Sequence, residues 1–375
     1  APAMEKAGAI DRALAALARA RVLRRQSQTD AATEAVDQAA AAGTDEPRLL
    51  ALIAREALAI GKLTLAQHIA SAALRAAPDV AQNRRLLARI LIDRNDGERA
   101  LTLLDKLPPD DVDAQIMKAQ AALLSSDETA LKAGLSGLSA VQSSKPELAT
   151  QIGALRIRVE AKLTPGRAVV DRARALARSA PGDPEALLAL AEAGLAAHDP
   201  ATAQNALKQR FAVAPDDPNA HYLFGRARRM AADASGAEAS FRRAIELSPG
   251  HTDALLALAS TLLDQGKYGD ADAVYQELAT RGGSSIQGRL GRVEALSGLM
   301  RLEDAQIQLD ALPEAQQSSA GYRLAAARLA LARAKPGDAL TQLRPLVDAQ
   351  KDKPQVQAVY GDALLAAQQL EAAGA

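Results

Sequence analysis

The chain has 375 residues, 45 of them basic and 45 acidic, so its formal net charge is zero and no broad field draws it to nucleic acid. It has no Cys, no Trp, five Tyr and three Phe, which excludes disulfides and thiol chemistry and leaves little aromatic bulk for several large cores. Ala supplies 89 residues and no apolar run reaches the ~20 residues of a membrane span, so an all-α protein with thin, close helix contacts and no direct membrane insertion is expected.

In chain order, Ala1-Pro2-Ala3 reads either as a mature end left by signal cleavage or as an artificial boundary. From residue 13 a period of 34 sets in, giving units 13–46, 47–80 and 81–111. Ala20, Ala54 and Ala88 form one small-residue column and Ala32, Ala66 and Ala100 another. Gly61-Lys62-Leu63 marks the turn inside the second unit and Pro78 ends it. Residues 112–183 keep the pattern loosely, with insertions, although a helix pair over 152–163 and 168–178 is legible.

Units 184–217, 218–251 and 252–283 restore the period. Ala191, Gly225 and Ala259 form a small column in the first helices, and Ala203, Ala237 and Ala271 form one in the second helices. Pro181, Pro215 and Pro249 fall at unit ends. Within 218–251 a first helix covers 222–230, Ala234-Ser235-Gly236 marks the turn, and Phe241, Ala244, Ile245 and Leu247 form the apolar side of a second helix. Ser248-Pro249-Gly250 stops it, because Pro disfavours helix at the residue before it. Gly266-Lys267-Tyr268 is the next intra-hairpin turn. Residues 284–353 are degenerate, with insertions of a residue or more expected, and a last helix over 355–370 with Val359, Leu364 and Leu365 either caps the last unit or belongs to a longer array.

These columns resemble the tetratricopeptide repeat (TPR) family, a 34-residue helix–turn–helix unit. Gly225 or Ala259 stands at the family's small first-helix position, Ala237 and Ala271 at its second small position, Phe241 and Tyr275 at the aromatic four residues on, then Ala244 and the closing Pro249. His221 and Arg84 depart from the family's bulky first-helix residue, which Leu50, Leu187 and Leu255 retain. The resemblance implies one all-α, right-handed superhelical solenoid of about ten stacked hairpins over 1–375, with residues 354–375 as a terminal helix. It also implies a concave groove lined by first helices that grips a protein or peptide. Stacking is physically required: one hairpin cannot bury enough apolar surface to offset ~1–2 kcal/mol of backbone entropy per residue.

No catalytic constellation emerges. His68, His198, His221 and His251 show no metal-ligand spacing, so no metal or cofactor is expected; His221 and His251 approach one another at most as packing or surface residues. Gly61-Lys62 lacks the upstream glycine of a phosphate loop. The Gly-rich stretch Arg281-Gly282-Gly283-Ser284-Ser285 reads as a kink, and the pairs Asp110-Asp111 and Asp216-Asp217 read as helix N-caps.

Candidate partner-binding residues lie on first helices. Arg21, Arg55 and Arg89 recur every 34 residues and should form a ladder, with Arg48 and Arg85 on about the same faces. Such guanidinium groups clamp carboxylates or phosphates, or else pair with nearby acids such as Glu56 or Asp93. Tyr222, Arg226, Arg229 and Met230 share a second stripe, with Arg226 alternatively paired to Glu192. Asp253 and Asp264 make that region mixed in sign, against a purely anionic ligand. The resulting expectation is a non-enzymatic scaffold for a peptide segment or partner helix. A bacterial envelope assembly for exopolysaccharide export or pilus formation is favoured over a cytoplasmic role. An RNA-binding helical repeat, or the scaffold part of a larger enzyme, are the alternatives.

Overall fold

The computed structural model describes residues 2–374 except Ser126, Gln142, 281–285 and 351–352, so the Gly-rich stretch Arg281-Gly282-Gly283-Ser284-Ser285 lies outside the described residues. Among the described residues there are twenty-one α-helices, one 3₁₀ turn and no strand. The chain divides into two compact units, Ala1–Ala197 and His198–Ala375.

The first unit holds α1 (Pro2–Arg25), α2 (Thr29–Ala41), α3 (Pro47–Ala59), α4 (Leu63–Ala76), α5 (Ala81–Asp93), α6 (Gly97–Leu104), α7 (Val112–Leu123), α8 (Glu128–Ala140), α9 (Pro146–Leu163), α10 (Arg167–Ser179) and α11 (Pro184–Ala196). The second holds α12 (Pro200–Val213), α13 (Pro218–Met230), α14 (Ala234–Leu247), α15 (Thr252–Asp264), α16 (Tyr268–Thr280), α17 (Ile286–Gly298), α18 (Leu302–Asp310), α19 (Ala320–Ala332), α20 (Pro336–Ala349) and α21 (Pro354–Gly374). Odd-numbered helices are the first helices of hairpins and even-numbered ones the second. Within each unit every substantial pairing joins helices one or two positions apart: α3 packs on α4 and on α5, α17 on α18 and on α19. This is a row of hairpins held by nearest neighbours, with no central core.

Local chemistry sets the boundaries. Pro opens α3, α9, α11, α12, α13, α20 and α21, where its missing N–H costs nothing. Asp111 and Asp217 cap α7 and α13, each accepting from the amide three residues on, at 3.0 and 3.2 Å. The intra-hairpin turns share one device. Ser27, Gly61 and Asn95 in the first unit, and His198, Ala232, Gly266, Met300 and Ala334 in the second, all have positive φ, each 34 residues from the next within its unit. The following amide reaches back five residues, Lys62 to the Ala57 carbonyl and Lys267 to that of Leu262, both at 2.9 Å. This is the Schellman arrangement that ends a helix through a left-handed residue. The turn in 218–251 is therefore centred on Ala232, and Ala234-Ser235-Gly236 is the first turn of α14, capped by Asp233.

First helices of the second unit begin at Pro218, Thr252, Ile286, Ala320 and Pro354, a constant pitch of 34, so no insertion interrupts 284–353. The first unit does shift: α7 starts 31 residues after α5, where α6 has only 8 residues, and α11 starts 38 residues after α9, which runs to 18. The columns are the core. Ala20, Ala54, Ala88, Ala32, Ala66 and Ala100 are fully buried, as are Ala237, Ala259 and Ala271. The bulky residue four positions after each second-helix Ala is buried too: Leu207, Phe241, Tyr275, Leu309 and Leu343.

Candidate functional site

The arginine ladder of the first unit is only partly free. Arg21 on α1 places its Nε 3.5 Å from Glu56 Oε2, and Arg24 pairs with the other oxygen of the same carboxylate. Glu56 is buried on α3, so the two guanidinium groups neutralise a charge that desolvation would otherwise penalise. Arg85 donates from Nη1 to both oxygens of Asp111, at 2.9 and 2.7 Å, tying α5 to the cap of α7. Arg89 pairs one turn ahead with Asp93 at 3.1 Å. Arg48 and Arg55, both on α3, are exposed and have no ion pair or hydrogen bond among the described residues. The pairing with Glu56 and Asp93 thus holds for Arg21 and Arg89, and the free cations of the set are Arg48 and Arg55.

In the second unit the stripe on α13 is assembled from neighbours. Tyr222 is half-buried, its ring 5.2 Å from His251 and 6.1 Å from Phe241, with the Arg226 guanidinium 5.7 Å from its centroid. Burial raises the Tyr222 pKa, with Asp253 adding to the rise and Arg226 opposing it. Arg226 is exposed, Arg229 reaches Asp264 on α15 at 3.4 Å, and Met230 is exposed at the end of the helix. The stripe therefore presents a tyrosine, a methionine and a stacked guanidinium, with Arg229 already engaged.

Glu192 is taken by Arg158 of α9, through Nε at 2.8 Å and Nη2 at 3.0 Å, not by Arg226. Both side chains are largely buried; burial alone lowers the Arg158 pKa, but the charge and hydrogen bonds of Glu192 outweigh it and the net shift is upward. Arg158 and Glu192 are 34 residues apart, as are Glu294 and Arg328, which pair between α17 and α19. Successive first helices thus bring the same repeat position together, and a charge in one repeat finds its counter-ion in the next. The sequence reading missed these stitches, and their signal was opposite charge at 34-residue spacing.

The histidines serve locally. His221 stacks on Phe211 with centroids 4.4 Å apart and its Nε2 lies 2.8 Å from the Pro215 carbonyl. His251 caps α15, its Nδ1 accepting from the Ala254 amide at 3.2 Å. Among the described residues no group of three or more His, Asp or Glu is placed to hold a metal ion, and no helix is long and apolar enough to cross a membrane.

Residues 57–123 match the family model described as tetratricopeptide repeat, and residues 187–337 match that of the cilia and flagella-associated protein 70 middle TPR-like domain. Cellulose synthase operon protein C of Xanthomonas axonopodis pv. citri is 29% identical over 184 residues, which is 47% of this chain but only 12% of that protein. Among solved structures, yeast Tom70 aligns over 96% of both chains at 12% identity and a TM-score of 0.42. The MamA protein aligns over 48% of this chain and 97% of its own at 18% identity and a TM-score of 0.41. The hairpin pitch, the small-residue columns and the two family matches agree: the chain belongs to the tetratricopeptide repeat family, whose helical arrays are scaffolds for protein–protein interaction.

Proposed function

We propose that this chain is a non-enzymatic scaffold that holds an extended segment or helix of a partner protein against its first-helix faces, within a bacterial envelope assembly that exports polysaccharide. Arg48 and Arg55 form the contact in the first unit, and Tyr222, Arg226 and Met230 in the second. The observation that carries this reading is that Arg48 and Arg55 keep their guanidinium groups exposed and unpaired while Arg21, Arg85 and Arg89 are engaged. They stand two helical turns apart, about 10 Å along the axis, which is the reach of about three residues of extended chain. Acidic side chains three positions apart on a partner segment fit that spacing, each carboxylate taken bidentately. The Tyr222–Arg226 stack adds an aromatic and a cation of the kind that anchors interfaces. The resemblance to a cellulose synthase operon protein supports the envelope setting.

The test is capture from bacterial envelope extracts by the wild-type chain and by the Arg48→Glu/Arg55→Glu variant, both checked for equal helicity. The expected result is a specific protein retained by the wild type and reduced at least tenfold by the variant. Equal retention would reject the arginine site.

A further inference from the structure

Helix α21 starts in phase with the other first helices, yet only one side of it is covered. Val356, Val359 and Ala363 are buried in a cluster with Ala339, Leu343 and Leu346 of α20. The opposite side is open. Leu364 is 40% exposed, whereas Leu296 and Leu262, two and three repeats earlier at the same position, are fully buried. What buries those two is in each case the second helix of their own hairpin: Leu262 clusters with Ala271 and Tyr275 of α16, Leu296 with Ala305 and Leu309 of α18.

Gly361 gives an independent sign of the same vacancy. It stands four repeats after Gly225, in the column where first and second helices approach most closely. A Cβ on Gly225 would lie 2.5 Å from the Phe241 ring of α14, while a Cβ on Gly361 would meet nothing within 4 Å. The surface thus has a shallow floor at Gly361 and an apolar wall at Leu364, the two features that elsewhere receive a second helix.

We propose that the Gly361–Leu364 face of α21 is a docking site for an amphipathic helix of a partner protein. Continuity with the repeat interface defines its chemistry. Each second helix presents a buried Ala and, four residues on, a buried bulky residue, as in Ala237 and Phe241, Ala271 and Tyr275, and Ala305 and Leu309. The partner helix carries the same pair, an Ala followed four residues later by Phe, Tyr or Leu, and lies antiparallel to α21. A second copy of this chain is a poorer occupant, because these pairs in its own second helices are already buried against their own hairpins. The site is separate from the arginine faces, so its test and theirs fail independently.

The experiment uses the whole chain and a labelled, end-capped peptide with the sequence of α14, ASGAEASFRRAIEL, as the probe helix. Fluorescence anisotropy is expected to show saturable binding. The Leu364→Glu and Gly361→Leu chains, and a peptide with Phe replaced by Ala, are each expected to bind at least tenfold more weakly. Gly361→Leu is informative because the open space around Gly361 lets the free chain fold with unchanged helicity and melting. The proposal is overturned if the wild-type chain takes up no peptide at millimolar concentration, or if Gly361→Leu binds as well as wild type. Concentration-dependent dimerisation of the wild type that Gly361→Leu abolishes would also overturn it, assigning the face to a second copy.

Discussion

Gly225 of α13 lies directly against the ring of Phe241 in α14, with only 2.5 Å between the place of a missing Cβ and Cε1. Phe241 is fully buried, so the ring has nowhere to retreat. Gly225→Ala is therefore expected to destabilise the second unit by about 1–3 kcal/mol through overpacking, despite the better helix propensity of Ala. Urea unfolding followed by circular dichroism measures this. A variant as stable as wild type would show that the two helices are further apart than described.

The left-handed turn column predicts the opposite sign of change. Ala232 and Ala334 occupy positive φ, 60° and 55°, where a Cβ is strained and glycine is not. Ala232→Gly and Ala334→Gly are each expected to stabilise by up to about 1 kcal/mol, and Gly61→Ala, at φ 77°, to destabilise by a similar amount. Thermal melting of the three variants checks both directions.

The contrast between these positions explains what the sequence made legible. The hairpins were readable where the columns are filled by Ala and closed by Pro, as at Ala237 and Pro249. They were obscured after residue 283 because the same positions hold Val293 and Leu309, and because Tyr275 of α16 is received by Gly291, where a Cβ would collide with the phenol. The pitch stayed at 34 although the identities changed, since burial tolerates apolar exchange better than it tolerates a shift of phase. The arginine faces were readable only as positions. Whether a guanidinium is free depends on an acid in the next repeat, as Glu56 stands 35 residues after Arg21. The exposure of Leu364 and Leu365, at 40% and 60%, was also hidden, because a helix pattern does not say which side of the last helix is covered.

The Arg158–Glu192 stitch predicts strong coupling. Removing one partner leaves the other poorly solvated, so Arg158→Met or Glu192→Leu alone is expected to cost about 1–3 kcal/mol. The double variant should recover much of the loss, because two apolar side chains replace a pair whose desolvation is itself costly. A double-mutant cycle by urea unfolding gives the coupling, and simple additivity would contradict it.

His251 predicts a pH dependence. Burial lowers its pKa from the ordinary value of 6.5, with Asp253 and Asp217 partly opposing, and the Tyr222 ring packs beside it. The unfolded chain therefore takes up the proton first, and stability falls as the pH drops from about 7.5 to about 5.5. Protonation at Nδ1 also removes the acceptor that caps α15. Asp183 and Asp217 hold the same repeat position and cap their helices with carboxylates. His251→Asp is accordingly expected to keep the cap and flatten this part of the profile, read as melting temperature against pH; an unchanged slope would assign it to other groups.

The central claim is that the first-helix faces are where a partner is held. Photo-crosslinking in cells, with benzoylphenylalanine placed at Arg48, Arg55 or Arg226 on first helices and at Lys132 or Lys208 on second helices, tests it most directly. All five positions are exposed, so reagent access is equal. The account predicts a common adduct from the first-helix positions and none from Lys132 or Lys208. Adducts confined to the second-helix positions would contradict it.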